Sequence, residues 1–413
     1  MISVFIFKSN ARGMQYGIGT YIKELSEALI SHTDVNVYII NYHSAECKEY
    51  TIEKVSPKYT KISLPTPRSS SAIQKDLNLY EKRYASSIVN LLSNLISKNG
   101  KVIFQINYID GLPLIKKLKE RYSHPVISVV HFAQWQELFN GNKIKLRGLN
   151  IDKPSNNIEY TLSLEKEMYE LSDRIISVTS YMKDFLINEY GIKRNKIDVI
   201  TNGLNVRQQI FSNEEKEKLK HKLGFKSDEK IVLFCGRIDP SKGIFFLLEA
   251  FVEACKILNN IRLVVVGQGD IQECLQKYQL FYGKITFTGF LTQKQIMPFY
   301  QIADVGVNPS VYDHCPYTIL EMMSNKIPLI ISKINGLDEI LNEEECIFIE
   351  PEIDIIGNFS LPIQKLANAI IHLTNNESIA NALSEVAYLK VLSKHSILEM
   401  GKNTFQTFEK AYL

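Results

Sequence analysis

Residues 231–243 read Ile-Val-Leu-Phe-Cys-Gly-Arg-Ile-Asp-Pro-Ser-Lys-Gly. The first five are apolar without polar alternation, which is how a strand buried on both faces looks. Gly236 and Pro240 punctuate the run, and an apolar stretch of helical length opens at Ile244. Strand, short turn and helix in that order begin a βαβ unit. The turn carries Arg237 and Lys242, two cations at the start of a helix. The helix dipole favours anions there, so cations are misplaced on an isolated helix. They make sense when a strongly charged group such as a diphosphate binds between them. A surface turn with solvated charges is the plainer alternative.

The same alternation continues outward in both directions. Short β-branched runs stand at residues 3–7, 35–40, 102–106, 126–130, 175–178 and 197–200, then at 231–234, 261–266, 285–288, 305–308, 328–331 and 347–349. Amphipathic stretches separate them, so the expected class is α/β with parallel sheets. A chain of 413 residues exceeds one ordinary core, which predicts two domains. Residues 1–205 form the first and 206–394 the second, with the charged helix 214–223 just past the boundary. Residues 66–71 and 140–157 read as loops.

Composition bounds the function. Hydrophobic residues make up 45% and charged residues 23%, and 48 Lys plus Arg face 45 Asp plus Glu for a net charge of +3. That balance lacks the basic excess of a nucleic-acid binder. Six cysteines, Cys47, Cys235, Cys255, Cys274, Cys315 and Cys346, show no C-x-x-C spacing, so zinc and redox dithiols are not indicated and free thiols are expected. The start, MISVFIFKSN, has no basic segment before its short apolar run, and no stretch approaches the roughly 20 apolar residues of a membrane span. A cytoplasmic protein is expected.

Open parallel sheets bind ligands outside the carboxyl ends of their strands, so the strand-to-helix junctions are where chemistry is sought. After the first strand comes Gly13-Met14-Gln15-Tyr16-Gly17-Ile18-Gly19-Thr20, with a helix expected from Tyr21. Glycines there let backbone N–H groups approach an anion. A dinucleotide fingerprint needs a third small residue, and Ile22 occupies that place; Gly267-Gln268-Gly269 fails likewise at Gln272, which disfavours an NAD-linked oxidoreductase. After the fourth run stands His131, placed either to face a ligand or to satisfy a backbone carbonyl. Residues 309–321 follow another strand and hold Asp313, Pro316, Tyr317, Thr318 and Glu321. Pro316 suits a first helical turn and Asp313 is placed to cap it. Glu321 lies among Ile319, Leu320, Met322 and Met323 and needs a partner, either a ribose diol or a neighbouring Lys. The basic amphipathic stretch Leu112 to Tyr122 is the solvated face of a crossover helix or a peripheral contact with an anionic membrane.

In this order, Gly17-Ile18-Gly19, His131, Ser177 to Ser180, Asn202-Gly203-Leu204, Gly236-Arg237 with Lys242-Gly243, Gly267-Gln268-Gly269, Phe287-Thr288-Gly289 and Asp313 with Glu321 resemble the retaining glycosyltransferases of the GT-B fold, family four. The resemblance implies two Rossmann-like domains facing across a cleft. It implies metal-independent, retaining transfer of a hexosyl or N-acetylhexosaminyl group from a nucleotide sugar, a UDP-sugar ahead of a GDP- or ADP-sugar. The nucleotide sugar is a substrate, so no cofactor is expected. The acceptor is open: a glycan, a lipid-linked intermediate, a small metabolite or a peptide. By the same resemblance Arg237 and Lys242 hold the diphosphate, with Gly236 and Gly267 in the donor-binding loops. Glu321 grips the ribose, and Tyr317 and Thr318 offer backbone N–H groups. Asp313 and His131 lie near the sugar, and Gly17 and Gly19 approach the phosphates. A helix from about 395 to 413 returns to the first domain. The chain departs from the family pattern at Asp313 (usually Glu), at Cys315-Pro316 (often Phe-Gly) and at Phe132 (often Asp), all near the sugar or acceptor. A degenerate nucleotide-sugar-binding partner subunit without turnover is the alternative.

Overall fold

The computed structural model describes residues 1–9, 17–32, 34–44, 47–66, 77–96, 100–206 and 210–413. The chain divides into two compact units. The first comprises residues 1–134, 148–203 and 397–413; the second comprises 135–147 and 204–396.

The first unit holds eight strands: β1 (Ile2–Ser9), β2 (Val35–Ser44), β3 (Thr51–Ser56), β4 (Tyr59–Pro65), β5 (Lys101–Ile106), β6 (Val126–Val130), β7 (Arg174–Ser177) and β8 (Ile197–Val199). Their spatial order is β3-β4-β2-β1-β5-β6-β7-β8. Every pairing is parallel except β3 with β4. The six apolar runs of the first half are all strands. The pair β3–β4 was not foreseen: β3 (TIEKVS) is an exposed edge strand, and its sequence carries no buried face to read. The helix after β1 is Gly17–Ser31, one turn earlier than expected, so Gly17 and Gly19 sit in its first turn. Gly weakens a helix interior by about 1 kcal/mol. The buried face of Tyr21, Ile22, Leu25, Ala28 and Leu29 offsets that cost. Residues 13–16 of the expected glycine loop, and all but Thr66 of the expected loop 66–71, lie outside the described residues.

Helix Leu112–Arg121 turns Leu112, Leu114, Ile115 and Leu118 into the core. Its lysines pair with carboxylates: Lys116 with Glu167 at 2.7 Å, Lys117 with Glu120 at 2.6 Å and Lys119 with Asp173 at 2.7 Å. The apolar face that suggested a membrane contact is therefore spent inside the unit. The last helix, Ile397–Lys410, packs on Gly17–Ser31 and buries Phe408 completely. Thr407 and Lys410 each bond Asp198 at 3.0 Å, and the Tyr412 hydroxyl donates to the Val102 carbonyl at 2.6 Å.

The second unit has β9 (Lys230–Cys235), β10 (Ile261–Val266), β11 (Ile285–Gly289), β12 (Val305–Asn308), β13 (Leu329–Ser332) and β14 (Cys346–Ile349), in the order β11-β10-β9-β12-β13-β14. All pairings are parallel. From β9 the chain winds outward through β10 and β11, then returns to β12 on the other side. The carboxyl ends of β9 and β12 therefore diverge at a topological switch point, where such sheets bind ligands. Helix Ile244–Cys255 buries Ile244, Leu247, Leu248, Ala250, Phe251 and Ala254 against the sheet. A short antiparallel hairpin, β15 (Glu352–Ile353) with β16 (Phe359–Ser360), completes this unit and was also unforeseen.

Candidate active site

Two loops meet at the switch point of the second sheet. The first leaves β9 as Gly236-Arg237-Ile238-Asp239 and makes a 3-10 turn, Pro240–Lys242. The Asp239 side chain caps that turn by accepting from the Ser241 N–H at 2.9 Å, and it pairs with Arg237 at 3.2 Å. Gly243 then turns the chain with φ +68° into helix Ile244–Cys255. A Cβ at Gly243 would stand 1.9 Å from the Pro309 carbonyl oxygen. The two loops can approach this closely only because Gly243 has no side chain.

The second loop leaves β12 at Asn308. Asp313 lies on it, and the Lys242 ammonium donates to its carboxylate at 2.6 Å. The pair bridges the β9 and β12 loops with side chains only 20% and 15% exposed. Asp313 also accepts from the His314 N–H at 3.1 Å and the Ser310 hydroxyl at 3.4 Å. It does not cap the following helix, as its position had suggested. That helix is Tyr317–Ser324, its N-cap is Pro316, and no side chain caps it. A helix start without a side-chain cap is the arrangement that suits a phosphate.

Glu321 has its partner: the buried Tyr300 hydroxyl donates to it at 2.7 Å. Burial pushes the Tyr300 phenol well above its usual range, so it stays a donor. This contact came from helix Gln293–Ile302, and nothing in the sequence around Glu321 announces it.

Gly267 follows β10 with φ +152°, and a Cβ there would lie 1.7 Å from the Gly236 carbonyl oxygen. Its service is to let the β10 and β9 loops run side by side, joined by Gly236 N–H to Val266 O at 3.0 Å and Ile238 N–H to Gln268 O at 2.8 Å. Beside them opens a cavity of about 420 Å³ lined by Ile238, Gly267, Gln268, Ile271, Phe287 and Thr288. Its mixture of apolar faces and backbone edges suits a planar heterocycle.

Residues 135–147 belong to this unit although they follow β6 of the first. Gln136 and His314 are buried and share a hydrogen bond of 2.8–3.0 Å at Nε2 of the imidazole. Burial lowers the His314 pKa to about 4, so the ring is neutral at physiological pH. Neither residue was singled out in the sequence. Their 178-residue separation carries no local signal.

The remaining expected residues lie in the first unit. The His131 ring meets Tyr21 edge-on at 4.7 Å. Burial lowers its pKa to about 3, and its Nε2 has no hydrogen-bond partner among the described residues. Just beyond it, the Gln134 N–H donates to the buried Glu165 at 3.1 Å, and Tyr190 donates to the same carboxylate at 2.5 Å. Burial raises Glu165 to about 7. The structure thus gathers Gly236, Arg237, Lys242, Gly267, Asp313, Tyr317, Thr318 and Glu321 on one edge of the second unit, with Gly17, Gly19 and His131 in the first.

Comparison with known proteins agrees with this architecture. Residues 215–390 match the glycosyl transferases group 1 model, and residues 16–208 match that of glycosyltransferase family 4. An uncharacterized glycosyltransferase of Methanocaldococcus jannaschii is 35% identical over 180 residues, 42% of this chain and 45% of that protein. Lipopolysaccharide 1,2-N-acetylglucosaminetransferase of Salmonella typhimurium is 25% identical over 395 residues, 87% of this chain and 98% of the relative. The chain spans about half the length of the first curated relatives it matches. Among solved structures, Anabaena HepE in complex with UDP and glucose superposes with a TM-score of 0.73 at 14% identity, covering 99% of this chain and 100% of that one, a likeness of fold. Two Rossmann-like halves with parallel sheets define the GT-B class. Within it, this chain belongs to the group 1 glycosyltransferases.

Proposed function

We propose that the protein transfers a sugar from a UDP-sugar to an acceptor, with retention of anomeric configuration and without a divalent metal. The observation that carries this reading is the Lys242–Asp313 pair at the switch point, with Arg237 on the same loop. A diphosphate placed between Arg237, Lys242 and the start of helix Tyr317–Ser324 would meet two cations and the N–H groups of Tyr317 and Thr318. Those groups stabilise negative charge as it develops on the departing nucleotide, the work a metal ion does elsewhere. Glu321, oriented by Tyr300, accepts from a ribose hydroxyl, and the cavity beside Gly267 takes the base. Anabaena HepE, a fold relative, binds UDP, which favours uracil.

The chemistry of these groups supports retention. Lys242 holds Asp313, which makes Asp313 a poor free nucleophile and suits it to bind the sugar. The departing phosphate then accepts the acceptor's proton on the face it leaves, after an oxocarbenium-like transition state. The acceptor is a glycan, a lipid-linked intermediate, a small metabolite or a peptide.

The test is turnover of a panel of nucleotide sugars by the purified chain in excess chelator, with NMR assignment of the transferred anomer. Retained configuration with a UDP-sugar is expected, and Arg237→Ala or Lys242→Ala lowers turnover by at least ~100-fold. An inverted product, or activity abolished by chelator and restored by magnesium, would contradict the mechanism. Tight donor binding without turnover would favour the partner-subunit alternative.

A further inference from the structure

The hairpin β15–β16 carries an unusual surface. Ile353, Ile355 and Ile356 are 64%, 97% and 61% exposed, while Phe359 at its base packs on Phe246 with ring centroids 6.0 Å apart. The hairpin is therefore anchored at its base and holds isoleucines out at its tip. Glu352 and Asp354 are exposed on the same hairpin, and the Asp354 carboxylate is engaged within the turn, accepting from the N–H groups of Ile356 at 2.9 Å and Asn358 at 2.8 Å and from the Asn358 amide at 2.9 Å. The tip is tied to a second element of the same unit. The Asn142 amide donates to the Ile356 carbonyl at 2.9 Å, and its oxygen accepts from the Ile144 N–H at 3.1 Å, capping the 3-10 turn Lys143–Leu146. Lys143, Lys145 and Arg147 on and after that turn are all exposed.

Three protruding isoleucines beside three exposed cations are the two halves of an interfacial anchor. Apolar tips enter the acyl boundary while basic groups meet anionic headgroups. A second copy of the chain is the weaker occupant, because three side chains on a narrow tip cover far less than the about 800 Å² per partner that a stable dimer buries. We propose that the β15–β16 tip and the Lys143–Arg147 turn form a docking face for an anionic lipid surface. This face belongs to the second unit, whereas the basic helix 112–121 that the sequence had offered for that role belongs to the first. The proposal is independent of the transferase reading.

Vesicle co-sedimentation of the full chain tests it, using phosphatidylcholine vesicles with and without 30% phosphatidylglycerol. Wild type is expected on the anionic vesicles only, with binding that falls at high salt. Each cation near an anionic surface is worth roughly five-fold, so Lys143→Gln with Lys145→Gln and Arg147→Gln should weaken binding by on the order of 100-fold. Ile355→Ser with Ile356→Ser should weaken it at least about ten-fold. Melting curves and UDP titration are expected to be unchanged in both variants. Wild type that ignores anionic vesicles, or variants that bind as wild type does, would overturn the proposal. So would a wild-type dimer that the isoleucine substitutions disperse, since a second copy would then cover the tip. Loss of UDP binding with vesicle binding intact would strike the transferase reading and leave this one standing.

Discussion

Lys242 faces two anions in this account: the Asp313 carboxylate it holds at 2.6 Å and the donor diphosphate. The two compete for one ammonium group. Asp313→Asn removes the internal competitor, so free UDP should bind a few-fold more tightly while sugar transfer falls, because the sugar loses its carboxylate. Parallel calorimetry and turnover assays check this, and weaker UDP binding in the variant would mean that Asp313 orients Lys242 rather than competing for it. At this scale the sequence told part of the story. Arg237, Lys242 and Glu321 stood out as candidates because charge beside a strand end or among apolar residues is conspicuous. Their partners were not: Tyr300 lies 21 residues from Glu321, and Gln136 lies 178 residues from His314. Such contacts exist only after the sheet has formed.

The elements were legible to the extent that burial left a pattern. Short apolar runs gave twelve strands, the edge strands β8, β11 and β14 among them. The edge strand β3 and the hairpin β15–β16 are largely exposed, and so their sequences show no such pattern. The helix after β1 begins at Gly17 because its buried face outweighs the weak propensity of two glycines in the first turn. The junction of the β9 and β12 loops depends on Gly243, where both φ +68° and the Pro309 oxygen exclude a side chain. Gly243→Ala should destabilise the second unit by about 2 kcal/mol or more, through left-handed strain and displaced backbone. UDP affinity should fall with it as Lys242 shifts. Chemical unfolding beside UDP titration measures both. A variant as stable as wild type would mean that the two loops can separate at no cost.

For the whole molecule, the two units should answer pH differently. In the second, His314 titrates at about 4 when folded and near 6.5 when unfolded. As pH falls below 6.5 the unfolded chain takes up a proton that the native unit refuses until about pH 4. Its contribution is full above 6.5 and declines across that window by about 1.4 kcal/mol per pH unit. In the first unit the lowered pKa of His131 acts in the same direction, but Glu165, raised to about 7, acts oppositely between its ordinary 4.5 and that value. The folded unit keeps a proton there that the unfolded chain has lost, so this part of its stability declines as pH rises. The two offset one another. Melting at pH 6.5 and pH 5 should therefore lower the transition that UDP raises by the equivalent of about 2 kcal/mol, and His314→Asn should remove most of that change. An unchanged pH response in His314→Asn would assign the proton uptake to other groups.

The central claim is that the carboxyl edge of β9 and β12 is a nucleoside-diphosphate site. Calorimetric titration of UDP into wild type and Glu321→Ala in excess chelator, each beside a melting curve, tests it most directly. The account predicts that wild type binds and is stabilised by UDP, and that Glu321→Ala loses at least about ten-fold in affinity, the worth of a hydrogen bond to a charged group. Undiminished UDP affinity in a less stable Glu321→Ala would contradict it, because Glu321 would then serve Tyr300 and the fold rather than the ribose.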